Sequence, residues 1–73
     1  MKVTITHGLD NSITRNVADG TTVDDILGDA ALAQVLGFSD NVVGYIDGAE
    51  VGNDTELEDG DTLTLRAKAG SKG

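Results

Sequence analysis

The chain has 73 residues with 13 acidic side chains, five basic ones, one histidine and no cysteine, which gives a net charge of −8. The absence of cysteine excludes a disulfide framework and a thiolate metal site, and one histidine cannot build a multi-histidine zinc site. Five bases argue against nucleic acid and anionic membranes as partners, because each phosphate contact needs a lysine or arginine. The acidity favours basic protein surfaces as partners.

The length fits a single domain. No apolar run approaches the ~20 residues of a membrane-spanning helix, and the first four residues lack a signal-peptide pattern, so we expect a cytoplasmic protein. The last acid is Asp61, and three of the five bases (Arg66, Lys68 and Lys72) fall in the last eight residues. We expect residues 1–67 to form the domain and residues 68–73, which carry no large apolar side chain, to form a flexible tail.

Alternating apolar and polar residues predict strands at 2–7 and 12–17, joined as a hairpin by the turn between them. Arg15 falls on the apolar face of the second strand, and we expect its stem to pack there with the guanidinium in solvent. Thr22 and Asp25 have the spacing of a capping box, with Asp in place of Glu, which predicts a helix start. Gly28 either lies inside one helix or ends a short one; the Gly-Asp order favours the break, with Asp29 capping a second helix.

The second half of the chain predicts three more strands. Gly37 is expected to end the helical region, with Phe38 folding back on its last turn. Residues 42–46, a stub at 50–51 and residues 62–67 read as strands, with Leu57 as a lone core anchor between them. This order predicts an α+β roll, in which a mixed sheet of four to five strands carries the helix across one face. The predicted core comprises Val3, Ile5, Ile13, Val17, Val23, Ile26, Leu27, Val35, Leu36, Val43, Ile46, Leu57, Leu63 and Leu65.

Three segments resemble the β-grasp, or ubiquitin-like, fold. The first hairpin runs directly into a Thr-capped helix over 13–27. The sequence IDGAEV at 46–51 resembles the strand–Asp-Gly–strand segment of the small sulfur carriers of thiamine and molybdopterin biosynthesis. The sequence LEDGDTLTL at 57–65 is similar to the entry into their last strand. The resemblance covers Val3 to Ala67 and implies a ubiquitin-like β-grasp roll.

The resemblance also implies a function for the tail. Sulfur carriers and ubiquitin-type modifiers end in a flexible arm finishing Gly-Gly, whose terminal carboxylate a separate adenylating enzyme activates with ATP and magnesium. The implied activation segment is Gly70, Ser71, Lys72 and Gly73, with Gly73 as the activated residue. Lys72 stands where that pattern has glycine, and the ending AGSKG is similar to that of a bacterial ubiquitin-like group, protein C of the PRTRC gene system. The acceptor is left open between sulfur and a lysine amine.

The third strand carries apolar residues on both faces, with Val43 and Tyr45 on one and Val42 on the other. Only one face can meet the helix, so we expect the other to form a partner-binding patch of the kind that ubiquitin-like domains use. The candidate partner-binding residues are Tyr45, Val43, Arg66 and Lys68, with Phe38 and Val42 as further candidates.

The remaining polar residues predict no catalytic or metal site. His7 has no nucleophile or acid at catalytic spacing, and we expect it to be solvated. The acids at 47–61 lack the spacing of a calcium-binding loop and suit β-turns. Without a nucleophile–base pair, we expect no enzymatic activity. Two functions remain: a ubiquitin-like carrier or modifier activated at Gly73, or a non-catalytic acidic interaction module with an inert tail, such as a phage or mobile-element accessory, assembly or inhibitor protein.

Overall fold

A computed structural model describes residues 1–8, 11–38 and 41–67. Its elements follow the predicted order. They are β1 (Lys2–His7), β2 (Asn11–Asn16), α1 (Val23–Leu27), α2 (Ala30–Leu36), β3 (Val42–Ile46), β4 (Ala49–Val51) and β5 (Thr62–Ala67). β2 starts and ends one residue earlier than predicted, because Asn11 pairs with His7 at the hairpin end. The predicted tail, 68–73, lies outside the described residues.

The strands form one mixed sheet in the order β2-β1-β5-β3-β4. β5 runs parallel to β1 and antiparallel to β3, and the other neighbours are antiparallel. The last strand in sequence is therefore the central strand of the sheet. The predicted α+β roll is confirmed.

The helical region is broken, as the Gly-Asp order favoured. At the start of α1, the Asp25 N–H donates to Thr22 Oγ1 over 3.2 Å and the Thr22 N–H donates to Asp25 Oδ2 over 3.0 Å, which completes the capping box. Gly28 ends α1, and its N–H donates to the Asp24 carbonyl over 2.9 Å. The Asp29 carboxylate then caps α2 by accepting two backbone N–H groups.

The two helices cover one face of the sheet. The buried apolar core of the described residues consists of Val3, Ile5, Val23, Ile26, Leu32, Leu36, Phe38, Val42, Leu57, Leu63 and Leu65. Four other predicted core residues pack against it while half-buried, namely Ile13, Val17, Leu27 and Ile46. Within the described ranges, neither helix has the length and apolarity needed to cross a membrane.

Two predicted core residues are wrong. The buried stripe of α2 runs through Leu32 and Leu36, four residues apart, so Val35 lies off that stripe and is 62 % exposed. On β3 the alternation turns Val42 toward the helices, and Val43 is therefore half-exposed on the opposite face.

Candidate functional site

The face of the sheet opposite the helices, called here the open face, is divided into two halves of different chemistry. Its β1–β2 half is a double row of hydroxyl groups. Register places Thr4 opposite Thr14 and Thr6 opposite Ser12. The hydroxyl oxygens of these pairs lie 3.2 and 3.4 Å apart, so the groups hydrogen-bond one another across the strands. This half is polar and satisfies part of its own hydrogen-bonding capacity.

The β3–β5 half of the open face contains three of the four predicted partner-binding residues. Antiparallel register places Val43 opposite Arg66 and Tyr45 opposite Thr64. The Arg66 guanidinium carbon lies 5.5 Å from the centre of the Tyr45 ring, within the range of a cation–π contact. A depression of about 260 Å³ lies between Tyr45, Gly48, Thr64 and Arg66. We call this group the Arg66–Tyr45 site.

Two further residues predicted to bind a partner, Phe38 and Val42, do not lie on the open face. Phe38 is 7 % exposed and Val42 is 6 % exposed, and both belong to the core on the helix side of the sheet. They contribute nothing to the open face. The fourth predicted residue, Lys68, lies outside the described residues, as do Gly70, Ser71, Lys72 and Gly73.

Charge is segregated between the sheet and the rest of the described chain. The strands carry three bases and one acid, namely Lys2, Arg15, Arg66 and Glu50. The described residues outside the strands carry ten acids and no base. The sheet is therefore the basic part of an acidic molecule, which the net charge alone does not reveal.

His7 has a structural role that the sequence analysis missed. Its Nδ1 lies 3.1 Å from the Leu36 carbonyl oxygen at the end of α2, and the Asn11 side-chain amide donates to the same oxygen over 3.3 Å. The His7 ring also meets Phe38 edge to face, with 6.2 Å between ring centres. The expectation of a solvated histidine is wrong. The alternation Val3, Ile5, His7 was the available signal, because it places His7 on the core face.

The acids of the 47–61 segment anchor turns. The Asp59 carboxylate accepts the Lys2 N–H over 2.7 Å, and the Asp61 carboxylate accepts the Glu58 N–H over 2.8 Å. Asp47 has a positive φ of 54° beside Gly48, which is the turn geometry that Asp-Gly favours. The described residues bring no three potential metal-ligating side chains together.

A five-stranded mixed sheet with the last strand between the first and third, and helices across one face, is the ubiquitin-like β-grasp fold. Solved structures with this fold confirm the predicted resemblance. Crystalline SAMP1 from Haloferax volcanii aligns with a TM-score of 0.69 and 16 % identity, covering 96 % of this chain and 98 % of that one. A protein of Pyrococcus furiosus assigned as molybdopterin converting factor, subunit 1, aligns with a TM-score of 0.70 and 17 % identity over 93 % and 98 % of the two chains.

A ubiquitin-like protein from Caldiarchaeum subterraneum aligns with a TM-score of 0.60 and 18 % identity over 94 % of this chain and 97 % of that one. No protein-family model and no curated protein matches the sequence. At these identities the likeness establishes the fold. The similarity of the tail to PRTRC-system protein C stays a prediction.

Proposed function

We propose that this protein is a ubiquitin-like carrier or modifier whose Gly73 carboxylate is activated by a separate adenylating enzyme. The observation that carries the proposal is the fold, which this chain shares over nearly its whole length with SAMP1 and with the molybdopterin converting factor subunit. The chain itself is not catalytic in this proposal and would work in the cytoplasm beside its partner.

The proposed chemistry needs little from the carrier beyond an accessible carboxylate. A carboxylate oxygen of Gly73 attacks the α-phosphate of ATP on the partner, and pyrophosphate leaves with magnesium neutralising its charge. Hydrosulfide then attacks the acyl-adenylate carbonyl and yields a thiocarboxylate, or a lysine amine attacks it and yields an isopeptide bond, and AMP is the leaving group in both cases. Gly70 and Gly73 have no side chain to obstruct passage through a narrow slot, whereas Lys72 stands where the family pattern has glycine.

The partner is proposed to dock on the open face at Val43, Tyr45 and Arg66, with Lys68 beyond the end of β5. Support comes from the central position of β5, whose last residue, Ala67, immediately follows Arg66. An enzyme that receives residues 68–73 therefore passes next to the Arg66–Tyr45 site.

Intact mass spectrometry of the protein from its native cells, with and without a thiol alkylator, tests the proposal. A mass gain equal to sulfur replacing oxygen, absent after deletion of Gly73, would establish a thiocarboxylate carrier. Species joined through Gly73 to lysines of other proteins would establish a modifier. An unmodified mass without adducts would refute activation. Circular dichroism of the deletion variant is the control, and we expect its spectrum to match that of the full chain.

A second candidate is a non-catalytic interaction module, and the segregated charge favours it. Ten acids on the turns and helices present a surface suited to a basic partner. Such a module is indifferent to loss of Gly73 but sensitive to neutralisation of the acidic turns. Comparing the Gly73 deletion with a variant whose acidic turns are neutralised, in one functional assay, separates the carrier or modifier from the interaction module.

A further inference from the structure

We propose that the Arg66–Tyr45 site binds a carboxylate presented by the surface of a partner protein. A carboxylate ligand is not what the net charge of −8 suggests, because the whole chain attracts bases. The inference rests on the proposed docking role of the open face. It does not depend on activation of Gly73.

The first argument is that Arg66 lies over an aromatic ring and has no carboxylate partner among the described residues. Its guanidinium carbon lies over the Tyr45 ring, 5.5 Å from the ring centre, and none of the acids among the described residues forms an ion pair with it. Arginine presents its donors as a planar fork that matches a carboxylate, and a cation–π contact does not consume those N–H donors. Arginine and tyrosine are also enriched where binding energy concentrates in protein interfaces.

The second argument is the shape of the site. The depression of about 260 Å³ is lined by Thr64 and Arg66 of β5, by Tyr45 of β3 and by Gly48. At Gly48 a Cβ would meet no atom within 4 Å, so the space beside this turn residue is unobstructed. A partner's aspartate or glutamate side chain can enter the depression and receive hydrogen bonds from both the guanidinium and the Thr64 hydroxyl.

The third argument is charge complementarity. Arg66 lies on the basic sheet, where the one acid, Glu50, stands opposite Tyr45 at the β4 edge of the site, and the ten acids of the turns and helices lie outside the strands. The partner that fits this pattern presents a carboxylate at the centre of its contact and bases toward its rim. A nucleic acid fits poorly, because a row of phosphates needs several bases and the described residues place two on the open face, Lys2 and Arg66.

A titration with paired peptides tests the proposal. One peptide alternates leucine with glutamate, and the other replaces each glutamate by glutamine. Each is added to the full-length ¹⁵N-labelled protein and followed by amide chemical shifts. We expect the glutamate peptide to shift the amides of Val43, Tyr45, Thr64 and Arg66. We expect the glutamine peptide to bind at least about tenfold more weakly, because charged hydrogen bonds are the stronger ones.

Two variants of equal charge change provide the matched comparison. Arg66→Glu should weaken binding of the glutamate peptide about tenfold or more, and Arg66→Lys should retain part of it because the charge remains but the fork is lost. Lys2→Glu changes the net charge by the same amount on the same face, about 20 Å away along the strand direction. Lys2→Glu should leave the affinity within about twofold, since charges that far apart are screened.

Several results would overturn the proposal. Equal binding of the two peptides, equal effects of Arg66→Glu and Lys2→Glu, or shifts confined to the helices and acidic turns would each do so. Tighter binding of a single-stranded oligonucleotide would replace the protein partner by a nucleic acid. Deletion of Gly73 should leave the peptide titration unchanged, so failure of this proposal and failure of Gly73 activation are separate results.

Discussion

Replacement of Gly44 by alanine tests whether the packing that positions the open face is as tight as the structure indicates. Gly44 lies on the core face of β3, one residue from both Val43 and Tyr45. A Cβ added there would lie 2.9 Å from Leu63 Cδ1, 3.4 Å from Val23 Cγ1 and 3.6 Å from Val51 Cγ2. The first distance is below any normal contact between carbon atoms, so either Leu63 or the β3 backbone must move.

The expected cost follows from how little room Leu63 has. Its side chain is fully buried, at 0 % exposure, at the centre of the sheet. Forcing an extra methyl group into such a core costs about 1–3 kcal/mol. Loss of glycine also reduces the entropy of the unfolded chain, which offsets about 0.4–1 kcal/mol. We expect Gly44→Ala to lower the free energy of unfolding by about 1–2 kcal/mol, and Tm by about 5–15 °C.

Thermal unfolding followed by circular dichroism measures this, with Gly52→Ala as the matched control. A Cβ on Gly52 would lie 3.1 Å from the Asp54 carboxylate oxygen, but that side chain is exposed and can turn aside. We expect the control to change the free energy of unfolding by less than about 0.5 kcal/mol. If the two variants unfold at the same temperature, Leu63 has room to rotate and the argument from packing fails.

Three further predictions concern the core, a helix cap and the surface charge. Leu57→Ala should lower the free energy of unfolding in urea by about 2–5 kcal/mol, because Leu57 is 3 % exposed. Val35→Ser should lower it by less than about 0.5 kcal/mol. Equal losses in the two variants would contradict the assigned buried and exposed faces. Asp29→Ala should lower the free energy of unfolding by about 1 kcal/mol through loss of the α2 cap, and Asp29→Asn should restore most of it. Raising NaCl from about 0.01 M to about 1 M should raise Tm by screening repulsion among the acids; a Tm independent of salt would show that this repulsion is negligible.

Local signals in the sequence predicted the elements well. The capping box of Thr22 and Asp25, the Gly28-Asp29 break and the alternation in β1 and β5 each depend on neighbours within a few residues. Such patterns determine a hydrogen bond or a face without knowledge of the rest of the fold. These local patterns do not predict the strand order, because β1 and β5 pair across more than fifty residues and no local pattern encodes that pairing.

The features that the sequence did not predict depend on contacts between residues far apart in the chain. In α2 every residue from Ala30 to Leu36 except Gln34 is apolar, so the pattern could not separate the buried Leu32 from the exposed Val35. The contact of His7 with the Leu36 carbonyl joins positions 29 residues apart. For the candidate site, alternation placed Val43 and Tyr45 on one face. The cation–π contact of Arg66 with Tyr45 could not be predicted without the register between β3 and β5.

The register between β3 and β5 also relates the proposed activation of Gly73 to the proposed carboxylate binding at Arg66. Leu63 and Leu65 are buried, which fixes the faces of β5 and turns Arg66 toward the open face one residue before the strand ends. A partner that takes the residues after Ala67 must therefore pass Arg66, whereas a partner bound at Arg66 need not touch Gly73. Arg66→Glu should reduce both peptide binding and modification of Gly73 in cells, while deletion of Gly73 should abolish modification alone. Normal modification of an Arg66→Glu protein would show that the activating enzyme docks elsewhere.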